Sequence, residues 1–161
     1  MDFFELKGGE MHAEGVALSA IARDVGTPAY IYSAATLRRH AQVFRQALAG
    51  LDQPPLVAFA VKANPNVAVL KLLGQEGLGA DVVSVGEMRR ALAAGIPADR
   101  IVFSGVGKTS DEMQAALAAG ILQLNVESEG ELRRLSAVAS ALGKTADIAI
   151  RVNPDVDART L

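Results

Sequence analysis

The chain has 161 residues, 50% of them hydrophobic and 21% charged, and its 16 basic and 18 acidic residues give a formal net charge of −2. This length and near-balance of charge favour one globular core and exclude a strongly basic nucleic-acid-binding surface. The absence of cysteine excludes disulfides and thiolate metal sites, and the two histidines, His12 and His40, are too far apart in sequence to indicate a metal site.

The acidic start of the chain lacks the basic and apolar segments of a secretory signal. No apolar run approaches the roughly 20 residues that cross a bilayer. We therefore expect a cytoplasmic protein whose partners include neither a membrane nor a nucleic acid.

Apolar spacing over residues 16–25 predicts a short helix that ends at Gly26. Residues 29–32 predict a short strand in which Tyr30 and Tyr32 pack. Ser33 is expected to cap the next helix, whose apolar stripe consists of Leu37, Ala41, Phe44 and Leu48.

The second part of the chain is periodic. Residues 88–96 are nearly repeated as residues 113–121, displaced by 25 positions, and each copy ends in Gly-Ile before an apolar run. Such βα units require right-handed crossovers and a parallel sheet. Strands are predicted to begin near Leu56, Ala80, Ile101, Leu122 and Ala146.

About five parallel strands with helices predict an α/β fold, which we interpret as part of a (β/α)8 barrel because eight such units take about 250 residues. The sequence ends soon after the fifth strand, so we expect an incomplete protein. A doubly wound open sheet is the alternative. Sequential strand order indicates the barrel, and a reversal of order indicates the open sheet.

Lys62 follows the apolar run of residues 56–61, at the carboxyl end of a strand expected to be buried on both faces. Catalytic groups collect at that rim of an α/β sheet. Partial burial disfavours the ammonium form, and a neutral amine condenses with carbonyl groups. The structural alternative is a lysine that only ends the strand.

Four ordered segments carry a resemblance to a known family. Residues 59–65, Phe-Ala-Val-Lys-Ala-Asn-Pro, resemble the lysine segment of pyridoxal-phosphate-dependent amino-acid decarboxylases with an alanine-racemase-type barrel. Residues 26–33, 79–87 and 151–154 resemble the entry segment, second strand and fifth strand of the diaminopimelate decarboxylases. The resemblance implies a pyridoxal-phosphate-binding barrel in which Lys62 is the catalytic residue and holds the cofactor as a Schiff base.

Three further residues are implied by the resemblance to bind the cofactor: Glu87, Asp81 and Arg151. Glu87 also fits a capping box with Ser84, which would make it structural. Asp81 is expected near the start of its strand, which favours a structural role. Arg151 matches a family arginine that faces the phenolic oxygen of the cofactor, and its alternative is a salt bridge to Glu127.

Two other segments, the end of the fourth strand and residues 105–109, are interpreted as structural and not as parts of a binding site. Asn125 and Glu127 end the fourth strand, followed by a second capping box from Ser128 to Glu131. Residues 105–109, Gly-Val-Gly-Lys-Thr, lack the glycine that a phosphate loop needs five residues before Gly107. An ordinary loop is expected there, and the alternative is a weaker anion site at the start of the next helix, with Ser110 as its cap.

The resemblance implies decarboxylation of meso-2,6-diaminopimelate to L-lysine and CO2 by a homodimer. It divides the chain into an N-terminal arm, residues 1–33, and the first half of a barrel, residues 34–161. The rest of the family's active site would lie beyond Leu161, so little activity is expected of this chain alone. An ornithine or arginine decarboxylase, a racemase-like barrel and a non-catalytic α/β binding domain remain the alternatives.

Overall fold

A computed structural model describes residues 3–53, 55–154 and 156 of the chain. The chain divides into two compact units, residues 1–55 and residues 56–161. In the described part of the chain, no helix is both long and apolar enough to cross a membrane.

The first unit contains a small antiparallel sheet and two helices. Strands of the sheet lie in the order β1-β2-β3, and the helices follow them in sequence. Ser33 caps the second helix as predicted, because its side chain accepts a hydrogen bond from the Thr36 N–H at 3.0 Å. Residues 1–33 were predicted to form an arm, and the sheet within them was not predicted. The elements are β1 (Phe4–Lys7), β2 (Glu10–Ala13), β3 (Val16–Ala17), α1 (Leu18–Val25) and α2 (Ala34–Ala47).

Two expectations for this unit were wrong. Residues 29–32 form no strand, and without a neighbouring strand to cover them Tyr30 is 93% exposed and Tyr32 55% exposed. On α2, Ala41 is buried as expected, but Phe44 is 58% exposed. The apolar stripe of α2 is therefore only partly covered.

Glu14 connects the turn after β2 to the start of α2. Its backbone has a left-handed φ of 56°, and its Oε1 accepts hydrogen bonds from the Ala35 N–H at 3.0 Å and the Ser33 hydroxyl at 2.8 Å. Both donors stabilise the carboxylate, the Ala35 N–H most, and lower the pKa of Glu14 below its ordinary value.

The second unit is a parallel sheet of five strands with a helix after each of the first four strands. All neighbouring strands are parallel and their order is sequential, β4-β5-β6-β7-β8. This order excludes the doubly wound alternative and confirms the partial barrel. The elements are β4 (Ala58–Ala60), α3 (Val67–Gln75), β5 (Gly79–Val82), α4 (Val85–Ala93), β6 (Ile101–Phe103), α5 (Ser110–Ala119), β7 (Gln123–Val126), α6 (Glu129–Ala141) and β8 (Ile148–Ile150).

Side chains alternate between the two faces of this sheet, as strand geometry requires. One set is apolar and buried in a core shared with α3 to α6, and it includes Val82, Phe103, Leu124 and Val126. The intervening positions include the polar residues Asp81, Gln123 and Asn125. Strand β4 is only half-buried, contrary to the prediction of burial on both faces, because it lies at the edge of the sheet.

Candidate functional site

A cavity of about 480 Å³ lies at the carboxyl ends of the five parallel strands. Carboxyl ends of parallel strands are where α/β proteins place their reactive groups. Three of the four predicted site residues line this cavity: Lys62, Asp81 and Arg151. The other lining residues are Val83, Ser104, Gly105, Gln123, Asn125, Glu127, Ala149 and Ile150.

Lys62 lies in a short 3-10 turn, residues 61–63, that directly follows β4. The turn is anchored on one side by Val61, which is fully buried in the core, and it closes through a 3.0 Å hydrogen bond from the Asn64 N–H to the Val61 carbonyl. The side chain of Lys62 is exposed, so the partial burial expected from the sequence is not present. The cause is the edge position of β4, which leaves one side of the turn uncovered.

Asp81 is the third of the four residues of β5, not near its start as expected, because the strand is short. Its Oδ1 accepts a hydrogen bond from the Ser104 hydroxyl at 2.5 Å. Ser104 in turn accepts from the Asn125 amide at 2.9 Å, and Asn125 accepts from the Gln123 amide at 2.9 Å. Four side chains, from β5, β7 and the residue after β6, thus form one series of hydrogen bonds that ends at a carboxylate.

Arg151 follows β8 and is 61% exposed at its side chain. Its Nη1 lies 3.1 Å from Oε2 of Glu127, so the salt bridge considered as its structural alternative is present. Glu127 is 7% exposed, and its Oε1 also accepts the Gly105 N–H at 2.9 Å. The guanidinium is held at the cavity by one edge, and it remains largely accessible to an anion in the cavity.

Glu87 lies in the first turn of α4, behind the cavity wall. Its N–H donates to the Ser84 hydroxyl at 3.2 Å, and its Oε2 accepts the N–H of Val83, a lining residue, at 2.8 Å. The predicted cap is therefore present, but the returning bond reaches one residue further back than a capping box requires.

The same displacement occurs at the start of α6. The Ser128 hydroxyl accepts the Glu131 N–H at 3.2 Å, while Oε2 of Glu131 accepts the N–H of Glu127 at 3.2 Å. The prediction that Ser110 caps α5 was wrong, because Thr109 is the capping residue and forms a complete capping box with Glu112.

The loop after β6 does not present its lysine to a ligand. Lys108 is 2% exposed, and its ammonium donates to the carbonyls of Gly105 at 2.6 Å and Asn125 at 2.7 Å and to the carboxylate of Glu131. Three acceptors satisfy all three donors of an ammonium. The loop is therefore structural, as predicted from the absence of the glycine that a phosphate loop requires.

Ser104 and Gln123 line the cavity but were not predicted as site residues. A usable signal existed, because Ser104 directly follows the apolar run of residues 101–103, just as Lys62 follows its own. Gln123 precedes Asn125 by two positions, which places both on one face of a strand. The pairing of Lys108 with Glu131, 23 positions apart, gave no signal at the level of local spacing.

The residues of this cavity suit pyridoxal phosphate chemically. A primary amine can take an aldehyde, a guanidinium can pair with an anionic oxygen, and a carboxylate can balance a positive nitrogen. In the described part of the chain, no three His, Asp or Glu side chains come together as a metal site would require.

Comparisons with known proteins agree with this chemistry. The family model described as pyridoxal-dependent decarboxylase, pyridoxal binding domain, matches residues 34–161. A diaminopimelate decarboxylase of Zymomonas mobilis is 54% identical over 158 residues, covering 98% of this chain and 38% of its own length. One of Pseudomonas fluorescens is 55% identical over 161 residues, covering 99% and 38%. The chain thus spans about 38% of the length of these curated relatives.

Solved structures give the same picture. The diaminopimelate decarboxylase of Helicobacter pylori, complexed with L-lysine, has a TM-score of 0.82 and 43% identity, covering 89% of this chain and 36% of that one. The enzyme of M. jannaschii, also with L-lysine, has a TM-score of 0.89 and 36% identity, covering 99% and 38%. A lysine/ornithine decarboxylase of Vibrio vulnificus, with a TM-score of 0.73 at 22% identity, shares the fold.

Proposed function

The chain belongs to the pyridoxal-dependent decarboxylases, and from that premise we propose that it carries the cofactor-anchoring part of a diaminopimelate decarboxylase active site. The observation that carries the proposal is the position of Lys62, on a turn anchored in the core and at the rim of a polar cavity. The proposed reaction is the conversion of meso-2,6-diaminopimelate to L-lysine and CO2. Relatives of that name that match nearly the whole chain support this substrate.

The roles proposed for the cavity residues follow from their charges. Lys62 would hold the cofactor through Nζ, whose neutral amine can condense with the aldehyde with loss of water, and when free it would move a proton to or from the reacting carbon. Arg151 would hold the anionic phenolic oxygen with the part of its guanidinium that Glu127 leaves accessible. When bound, the cofactor supplies a conjugated ring that accepts the electrons left by departing CO2.

The two carboxylates have different positions relative to the cavity. Asp81 lines it and is proposed to balance positive charge on the Lys62 nitrogen. Glu87 is proposed to support the cofactor from one layer further back, through the Val83 N–H that it accepts. The contribution of Glu87 to cofactor binding is therefore expected to be smaller than that of Asp81.

The proposal extends to the organisation of the whole protein. Residues 1–33 are proposed as an N-terminal arm and residues 34–161 as the first half of the barrel, in a cytoplasmic TIM-barrel enzyme of lysine biosynthesis that acts as a homodimer. The match of the family model to residues 34–161 supports this boundary.

Covalent labelling tests the anchor. The chain is mixed with pyridoxal phosphate, reduced with borohydride, and digested so that adducts can be located by peptide mass. We expect enrichment at Lys62 over Lys71, which is also exposed and lies on α3 of the same unit. Lys62→Arg should abolish that adduct, and Lys71→Arg should leave it unchanged. Equal labelling of the two lysines would contradict the proposal.

A further inference from the structure

The hydrogen-bonded chain along β5, β6 and β7 has a fixed direction. Gln123 donates to Asn125, Asn125 donates through its amide nitrogen to Ser104, and Ser104 donates its only proton to Asp81. A serine hydroxyl has one proton and can still accept, so accepting from Asn125 leaves that proton for Asp81. All three hydrogen bonds therefore donate in the direction of the Asp81 carboxylate.

The strand register explains why these residues meet. Phe103 of β6 pairs with Leu124 of β7, so the residues after them, Ser104 and Asn125, lie side by side at the strand ends. On the other side, Ala60 of β4 pairs with Asp81 of β5. Lys62 is two positions beyond Ala60, in the 3-10 turn that follows β4, and it lines the same cavity as Asp81. Asp81 thus lies between the hydrogen-bonded chain and the lysine.

Only one carboxylate oxygen of Asp81 takes part in this series of hydrogen bonds. Oδ1 accepts from Ser104, whereas Oδ2 accepts no hydrogen bond from any residue within 3–53, 55–154 and 156. Asp81 and Lys62 line the same cavity, whose remaining titratable lining residues are Glu127 and Arg151. Those two are paired with each other, so Asp81 is the carboxylate left to face the lysine.

We propose that Ser104 and Asn125 are positioning residues that hold the Asp81 carboxylate toward Lys62. The inference rests on the proposed function, in which the Lys62 nitrogen carries positive charge once the cofactor is attached. Gln123 completes the arrangement by fixing the orientation of the Asn125 amide. Ser104 and Asn125 act through Asp81 and not by touching the cofactor.

Competitive acetylation of the whole chain with trace acetic anhydride tests this without any cofactor. The measured quantity is the reactivity of Lys62 relative to Lys71, obtained from peptide masses. A carboxylate held toward Lys62 pairs with Nζ and shields it from the reagent, so Ser104→Ala should raise the ratio about two- to fivefold, the range of an exposed ion pair. Ser104→Thr, which keeps the hydroxyl, should restore it. Ser136→Ala, an exposed serine of α6, should leave it unchanged.

Two further variants separate positioning from general loosening of the structure. Asn125→Ala removes the donor to Ser104 without adding a charge to the cavity, and should raise the ratio as Ser104→Ala does. Asp81→Asn alone should raise the ratio of Lys62 to Lys71 reactivity, and adding Ser104→Ala to Asp81→Asn should have no further effect on that ratio. Additive effects would overturn the inference.

The two proposals fail in different ways. If pyridoxal phosphate does not label Lys62 selectively, the proposed function fails whatever acetylation shows. If it does label Lys62 selectively and Ser104→Ala leaves the acetylation ratio unchanged, the positioning role is wrong and the proposed function stands.

Discussion

The ammonium of Lys108 and the carboxylate of Glu131 form an ion pair that is almost completely buried, with 2% and 7% of their side chains exposed. Lys108 also bonds the carbonyls of Gly105 and Asn125, and Glu131 accepts the N–H of Glu127. The pair therefore joins the loop after β6, strand β7 and the start of α6. Three of the residues it contacts line the proposed site.

Removal of one partner should cost far more than removal of an exposed pair. Lys108→Met leaves the Glu131 charge buried without its counterion, and we expect the free energy of unfolding to fall by about 3–5 kcal/mol. Arg133→Ala breaks an exposed pair with Glu129 on α6 and should cost less than about 1 kcal/mol. Urea unfolding followed by circular dichroism measures both values.

The double variant Lys108→Met, Glu131→Leu provides the matching control. Because it removes both charges, it should recover part of the stability lost in Lys108→Met alone. If Lys108→Met proves no more harmful than Arg133→Ala, the pair does not hold the strand ends together.

Glu127 and Arg151 should differ in their importance for stability although they form one salt bridge. Glu127 is 7% exposed and accepts the Gly105 N–H, so Glu127→Ala should cost about 1–3 kcal/mol. Arg151 is 61% exposed, so Arg151→Ala should cost less than about 1 kcal/mol. Thermal and urea unfolding of both variants check this order, and similar losses would be evidence against it.

The sequence predicted the site as far as strand ends could be read from it. Lys62 was found because a long apolar run breaks at a lysine, and Arg151 because it matched a family segment. Ser104 was missed because the apolar run before it has only three residues, 101–103, against six before Lys62. The predicted burial of Lys62 was wrong because the burial of this residue depends on what lies beside β4. The residues of a strand do not themselves indicate whether the strand lies at the edge of a sheet.

The first unit was harder to predict for a related reason. Strands β1 to β3 have four residues or fewer, too short for a clear period of two. Their turns need left-handed residues, which Gly8 and Gly9 provide with φ of 60° and 84°. That Gly-Gly pair was the available signal for a hairpin. Interactions such as Glu14 with Ser33, 19 positions apart, depend on tertiary structure.

Gly79 should be intolerant of any side chain. A Cβ on this residue of β5 would lie 2.2 Å from the Arg100 carbonyl oxygen and 3.0 Å from Leu56 Cδ1. Backbone must then move, so Gly79→Ala should lower the free energy of unfolding by about 2–3 kcal/mol. In Gly130→Ala a Cβ meets nothing within 4 Å, and in the first turn of α6 it should be neutral or stabilising by up to about 1 kcal/mol. Comparable destabilisation of the two variants in urea would contradict the predicted steric cause.

The capping box of α5 should make stability depend on pH. Glu112 accepts the Thr109 N–H and the Val85 N–H, each at 3.1 Å, and these bonds, Thr109 first, hold the pKa of Glu112 below its ordinary 4.5. Because the folded pKa is lower than the unfolded one, the carboxylate stabilises the fold above pH 4.5, and this contribution disappears as the pH falls through the folded value.

Glu112→Gln should therefore be less stable than the unsubstituted chain by about 0.5–1 kcal/mol at neutral pH, with the difference shrinking as the pH falls. Urea unfolding at a series of pH values from neutral to acidic measures the difference. Asp111→Asn removes the same charge from an exposed position one residue earlier and should show a smaller and flatter difference. A Glu112→Gln difference that stays constant, or grows toward acid pH, would show that the carboxylate does not act through these bonds to the start of α5.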